Sequence, residues 1–188
     1  MIRNKGLNLY LWIGAILFTL GIFVGSFYAA GLKGEAFSEV VDYLKAYFKG
    51  GGRPKWEVFV NSLYLNLRLF IVIFVAGFYK FTIPLTVASI GFEGFVSGFT
   101  TASFIKAFGV KGLLLGLSGV VSMVIFVVNL IIFSAWSMNF LVNNGKFDRF
   151  FKKNYLILSG ICLTIFCIAS LSDGYITTTF MGFIVNKL

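Results

Sequence analysis

The chain has 188 residues, of which 59% are hydrophobic and only 12% charged, and its formal net charge is +9. About one-quarter of a soluble domain is charged, so this composition excludes a water-soluble globular protein and predicts a single all-α domain, a polytopic bundle of membrane-spanning helices. The basic residues lie mostly between apolar runs, where membrane topology and anionic headgroups account for them. We therefore expect contacts with membrane lipids and no nucleic-acid partner.

The first predicted span covers residues 9–30. The uncharged run is too long for the apolar core of a signal peptide, so we expect it to stay in the protein. Gly14, Gly21 and Gly25 predict a face on which a neighbouring or partner helix packs closely. The general abundance of glycine in membrane helices explains these three residues equally well.

Residues 35–49 alternate apolar and charged side chains at helical spacing, which predicts an amphipathic helix on the protein's own membrane surface or on a partner. Three consecutive glycines, residues 50–52, end it. Its apolar face is predicted to contain Phe37, Val40, Val41, Leu44, Tyr47 and Phe48.

Four more spans are predicted, at residues 58–78, 83–107, 113–142 and 155–171. Pro84 falls in the first turn of its span, where a missing N–H group does no harm. The fourth span carries no charge and is longer than a bilayer requires, so it is expected to tilt or protrude. The tail, residues 175–188, is too short to span and is predicted to continue the helix or to lie at the membrane interface.

Five spans place the two termini on opposite sides of the membrane. The numbers of Lys and Arg on the two sides are nearly equal and do not decide the orientation. We place the N-terminus in the cytoplasm because the two dense basic clusters, Arg3 with Lys5 and the loop 146–153, then lie inside. The amphipathic helix is extracytoplasmic on this choice.

Arg68 and Glu93 are the two ionisable residues inside predicted spans, and such residues are functional candidates by default. Each lies 12 residues from the turn at residues 80–81, and antiparallel neighbours would bring them to one depth. We predict an intramembrane ion pair that fixes helix register; a proton or ion path is the alternative.

Further glycines predict close packing in the third and fourth spans. Ser and Thr residues add to the small character of the third span, which is therefore predicted to be the buried centre of the bundle. The glycines proposed for helix packing or partner docking here are Gly91, Gly94, Gly98, Gly112 and Gly116.

Catalytic patterns are missing from the sequence. Without His, neither a Ser–His pair nor an HExxH zinc site is available, and no P-loop is present. Asp148 and Asp173 fall outside the middle of the predicted spans, and Cys162 and Cys167 fit no metal-binding spacing. We expect a protein that is not an enzyme and holds no metal or cofactor.

The order of parts is a short basic N-terminus, one span, an amphipathic segment ending Tyr-Leu-x-x-Tyr-Phe, and four more spans. Together with Asn61, Pro84 and the run Gly94-x-x-x-Gly98-Phe-Thr, this order resembles the stage II sporulation protein M family over nearly the whole chain. The Pro that the family carries in its fourth span is missing from residues 121–126, so no kink is expected there. Glu93 lies outside the family pattern.

The resemblance implies a non-enzymatic scaffold in the septal membrane of the mother cell of a spore-forming bacterium. It would act during forespore engulfment by recruiting two membrane-anchored hydrolases, stage II sporulation proteins D and P, to septal peptidoglycan. A transporter or permease subunit is one alternative, and a membrane-shaping homo-oligomer is another. A transport role predicts a solvent-connected polar path at Glu93, whereas a scaffold predicts a dry, paired carboxylate.

Overall fold

The computed structural model describes the backbone of residues 5–49, 54–79, 82–143 and 149–185, and these residues form an all-α bundle. The helices are α1 (Lys5–Gly31), α2 (Gly34–Lys49), α3 (Lys55–Ala76), α4 (Ile83–Phe108), α5 (Val110–Ser118), α6 (Val120–Asn143), α7 (Arg149–Leu171) and α8 (Thr178–Val185). A π-helical segment, Ser172–Thr177, joins α7 to α8.

Five stretches of the described residues are long and apolar enough to cross a membrane, which confirms the predicted number of spans. They lie within α1, α3, α4 and α6 and in the combined helix from Lys153 to Phe183. The all-α membrane bundle is thus a consequence of backbone chemistry, because helices satisfy their own amide and carbonyl groups where no water is available.

The buried centre of the bundle is α6 and not α4, contrary to the prediction from small residues. In the most apolar stretch of α6, 44% of the residues are buried inside the protein, against 22% in α4. The helix α6 contacts α1, α3, α4 and α7, whereas α4 packs mainly on α1. Small residues in α4 therefore mark one tight pairing and not a central position.

Aromatic rings fill the core between α3, α6 and α7. Phe70 stacks on Phe133 with ring centroids 5.1 Å apart, and Phe140 stacks on Tyr155 at 4.6 Å. The Tyr155 hydroxyl donates a hydrogen bond to the carbonyl oxygen of Phe74, 2.9 Å away. This polar contact lets a buried tyrosine fix the position of α7 against α3.

The predicted fourth span is interrupted. Its first part is α5, which folds back on the end of α4 after Gly109, a residue with φ of +60° that favours glycine. A break at Gly119 then separates α5 from α6, although residues 121–126 contain no proline. The prediction of one helix over 113–142 was therefore wrong, because a turn at Gly119 separates α5 from α6.

The last span extends beyond its predicted end at residue 171, because the chain remains helical there, and continuation of the helix was one of the two predictions for the tail. The π-helical segment Ser172–Thr177 continues directly into α8, so the described tail, residues 175–185, prolongs the helix. An Asp-Gly pair usually marks a turn, which is why the span was expected to end before Asp173. Asp173 instead lies inside the membrane-length stretch.

The amphipathic helix α2 folds against one end of the bundle, which we call the α2 end. The Lys106 ammonium, at the end of α4, donates hydrogen bonds to carbonyl oxygens of Ala29 and Ala30 at the end of α1, at 3.3 and 2.9 Å. The same ammonium lies 4.4 Å from the ring centroid of Phe37 in α2. One cation thus ties three helices together, at a helix C-terminus where positive charge is stabilising.

Candidate functional site

A cavity of about 930 Å³ lies between α3 and α4, which form its two walls. The start of α6, the π-helical segment and α8 form its floor. Its lining is mostly apolar but includes the ionisable residues Arg68, Glu93 and Asp173 together with several Ser, Thr and Asn side chains. We call this cavity the α3–α4 groove.

The groove has apolar rims. Leu65 on α3 is 49% exposed, and Leu85 and Phe92 on α4 are 52% and 63% exposed. Both helices are long and apolar enough to cross a membrane, so we expect these rim side chains to contact lipid.

The structure brings Arg68 and Glu93 to the same groove, on opposite walls, as their equal distances from the turn suggested. It does not join them: among the described residues, neither side chain forms an ion pair. The expectation assumed that consecutive spans pack side by side. In the fold, α4 packs on α1 while α3 packs on α7, so the facing walls diverge.

Asp173 is the groove residue that the sequence did not reveal. Its Oδ2 accepts a hydrogen bond of 2.7 Å from the Ser62 hydroxyl of α3. Next to it, a methyl group on Gly174 would collide with the Cβ atom of Phe59, so glycine allows the close approach of α3. The apolar run after Asp173 is long enough to extend the preceding helix, and it was the feature of the sequence that could have placed Asp173 inside a span.

A ladder of side-chain hydrogen bonds closes the groove floor. The Asn66 amide donates to the Ser170 hydroxyl at 2.8 Å, and the hydroxyls of Ser122 and Thr177 lie 3.2 Å apart. The π-helical segment and the Gly119 break meet in this floor. Irregular backbone is tolerated at membrane depth where it is buried in protein or lines a polar cavity, and the floor meets that condition.

Four of the predicted glycines form the α1–α4 interface, which we call the glycine spine. A methyl group on Gly21 would collide with the carbonyl oxygen of Gly91, and one on Gly25 with that of Phe95. In return, Gly94 abuts the carbonyl oxygen of Phe18, and Gly98 that of Ile22. The two backbones touch, so these faces are occupied within the chain.

The other predicted glycines have separate surroundings. A methyl group on Gly14 would lie 3.1 Å from the Ile131 side chain of α6, and one on Gly116 would lie 3.2 Å from Thr101. Gly112 abuts the Phe104 carbonyl oxygen where α5 folds back on α4. A methyl group on Gly91 would have no atom of another element within 4 Å. The contact with α1 therefore uses the Gly91 carbonyl oxygen and does not require glycine at this position.

The predicted apolar face of α2 lies inward over its described part. Phe37, Val40, Val41 and Leu44 are half-buried, and Leu44 packs near Phe104 and Leu115 at the α2 end. The side chains of Tyr47 and Phe48 lie outside the described residues. The face thus covers the protein's own surface, as expected for a helix that shields the ends of α4 and α5.

The groove brings together charged and polar side chains. Among the residues that the structure describes, no group of three or more His, Cys, Asp or Glu side chains is arranged to hold a metal ion. The groove contains one guanidinium, two carboxylates and several hydroxyl and amide groups. Ionisable side chains within membrane-length helices are candidates for a functional site.

Comparison with known proteins supplies no relative. No protein-family model matches the chain, and neither the curated proteins nor the solved structures give a significant match.

Proposed function

We propose that this chain is a non-enzymatic membrane scaffold that holds membrane-anchored partner proteins through the α3–α4 groove. The observation that supports it is a groove between two membrane-length helices that is lined by Arg68, Glu93 and Asp173 and rimmed by exposed apolar side chains. A single-span anchor can enter such a groove by lateral diffusion. The polar lining then gives specificity that contact with lipid-like apolar surface does not.

The groove is a better docking surface than the glycine faces from which the sequence suggested docking. The glycine spine is filled by the contact of α1 with α4, so a partner would have to displace packed backbone. The groove walls, by contrast, present exposed side chains without that packing. The docking role of the predicted glycines is thus indirect: they hold α4 in place while its other face forms a wall.

The identity of the partners follows from the sequence resemblance to the stage II sporulation protein M family. On that basis the proposed partners are the wall hydrolases stage II sporulation proteins D and P. The proposed location is the septal membrane of the mother cell, with the N-terminus cytoplasmic and α2 outside. In this arrangement the α2 end faces the septal peptidoglycan, the side on which the partners' catalytic domains act.

A permease subunit is a second candidate, and a specific observation favours it. Glu93 lines the cavity and forms no ion pair among the described residues, so the paired carboxylate expected of a scaffold is not formed there. The turn at Gly119, which separates α5 from α6 at the groove floor, adds to this because transporter sites are typically formed by discontinuous helices. The exposed apolar rims favour the scaffold, since they offer contacts to a partner helix.

Co-purification distinguishes the two functions. The chain is expressed in detergent-extractable form with each tagged hydrolase, and cross-linkers placed at Leu65, Phe92 and, as a remote site, Ile161 on α7 report the contact. The scaffold function predicts stable complexes with cross-links at the first two positions only. Failure to retain either hydrolase, together with solute uptake by proteoliposomes of the chain alone, would replace the scaffold by the permease.

A further inference from the structure

We propose that the α3–α4 groove seats a transmembrane helix that carries one Lys or Arg side chain at the depth of Glu93. This inference rests on the scaffold function proposed above and names the chemistry of the partner's anchor. It does not depend on which protein supplies that helix.

The groove contains more acidic than basic side chains. Its described ionisable lining contains one guanidinium, Arg68, and two carboxylates, Glu93 and Asp173. Asp173 accepts a hydrogen bond from Ser62, whereas Glu93 is half-buried and makes no ion pair or hydrogen bond among the described residues. An isolated carboxylate in a low-dielectric site is unfavourable, and a cation beside it relieves that cost. With all three groups ionised, the described lining carries one negative charge in excess, which one added cation would balance.

The surroundings of Glu93 provide space for such a side chain. Ser89 and Ser97 lie one turn before and one turn after Glu93, so the three residues share one face of α4 and all line the groove. Both serines are small and leave room above and below the carboxylate. The stem of a Lys or Arg side chain can therefore pass between them and place its charge against Glu93.

The shape of the groove selects a helix over a small cation. Its α3 wall extends from Val58 to Val72, a length of about 21 Å at the helical rise, which is about four turns. Exposed apolar residues on the rims, among them Leu65, Phe92 and Val96, offer contacts to the apolar sides of an inserted helix. The polar side chains of α4 inside the groove would then contact a single polar residue on the inserted helix.

Peptide binding to the reconstituted full chain tests this inference. The probes are Leu-rich 22-residue helices labelled with a dansyl acceptor, each with Lys, Leu or Glu at the centre. Energy transfer from the protein's own Trp residues in phosphatidylcholine nanodiscs measures binding. We expect the central-Lys helix to bind at least about tenfold more tightly than the central-Leu helix, and moving the Lys by one turn in either direction to lower that preference.

Substitution of Glu93 identifies the group that makes the selection. Glu93→Gln should abolish the preference for Lys over Leu, and Glu93→Lys should transfer it to the central-Glu helix. The control Glu39→Gln removes the same charge from the exposed face of α2 and should leave the preference intact. Circular dichroism and thermal unfolding in the same nanodiscs confirm that each variant is folded.

The outcomes separate the inference from the function on which it rests. Equal binding of the Lys and Leu helices, or a Lys preference that persists in folded Glu93→Gln, overturns the inference. If the hydrolases still co-purify with the wild-type chain in that case, the scaffold function stands and the anchor chemistry is wrong. If Lys selectivity is found but the hydrolases do not co-purify, the inference stands and the partner is another membrane protein with a basic anchor.

Discussion

The two sides of α4 serve opposite purposes. Toward α1 the helix presents Gly94 and Gly98, and the two backbones meet without intervening side chains. Toward α3 it presents Ser89, Glu93 and Ser97, and a cavity of about 930 Å³ separates the helices. The two sets have the same spacing of four residues and differ by one position in the chain. The same four-residue spacing therefore forms the closed glycine spine on one face of α4 and the open groove wall on the neighbouring face.

The difference follows from what each helix finds opposite. Lipid is as apolar as the helices, so association in a membrane depends on close packing and on polar contacts between helices. The glycine spine uses packing and contains no charge. The groove carries charges whose partners are incomplete. Rigidity on the first side holds the second side open, and the following substitutions test this dependence.

The largest effect is expected at the glycine spine. Gly98→Leu places a side chain where the carbonyl group of Ile22 lies, so α1 and α4 must separate. We expect a loss of more than about 3 kcal/mol, seen as failure to recover monodisperse protein from detergent. Gly91→Leu is the matched control in the same helix, because its side chain meets open space. Equal yields from the two variants would contradict a spine that depends on close approach.

Removal of the Lys106 ammonium should have the next largest effect. Lys106→Met retains the apolar stem but loses the hydrogen bonds to Ala29 and Ala30 and the contact with the Phe37 ring. We expect a loss of about 1 kcal/mol and faster hydrogen exchange in α2, measured by mass spectrometry. Lys45→Met, on the exposed face of α2, is the control. Unchanged exchange in α2 would show that its docking does not depend on Lys106.

A smaller loss is expected at the floor of the groove. Asn66→Leu removes the hydrogen bond to Ser170, whose hydroxyl keeps its bond to the Phe166 carbonyl oxygen. Hydrogen bonds between membrane helices average about 0.6 kcal/mol, so the melting temperature should fall by only about 1–3 °C. Asn61→Leu, at an exposed position of the same helix, should change it less. A drop several times larger would mean that the polar floor, and not the spine, holds the groove open.

The smallest effect on stability is expected at Glu93 itself. Since no ion pair is formed there, Glu93→Gln should shift the melting temperature by less than about 2 °C. Breaking a buried ion pair would instead cost about 3–5 kcal/mol. Thermal unfolding in detergent separates these two values clearly. A large loss of stability would instead support the Arg68–Glu93 ion pair that the sequence predicted.

Periodicity and composition were enough to predict the helical class, the five spans and the amphipathic helix, because each depends on local pattern alone. The glycine contacts were half predictable: Gly21, Gly25, Gly94 and Gly98 were identified, but spacing does not say which helix lies opposite. The predicted ion pair is not formed because α3 packs mainly on α7 and α4 mainly on α1, so the two walls of the groove stand apart. Asp173 was missed because an Asp-Gly pair ordinarily ends a helix, whereas here it lies within a π-helical segment that continues the helix.

The break at Gly119 and the π-helical segment have a consequence for water. At this turn the Gly119 amide donates to the Gly116 carbonyl oxygen, and the Ser118 hydroxyl donates to the Leu115 carbonyl oxygen. The Gly119 carbonyl oxygen accepts hydrogen bonds from the Met123 amide and from the Ser122 hydroxyl. The amides around residues 119–122 and 172–177 border the groove, while those of the glycine spine lie against packed backbone. Deuterium should therefore enter this protein from the groove floor outward, and reach the contact of α1 with α4 last.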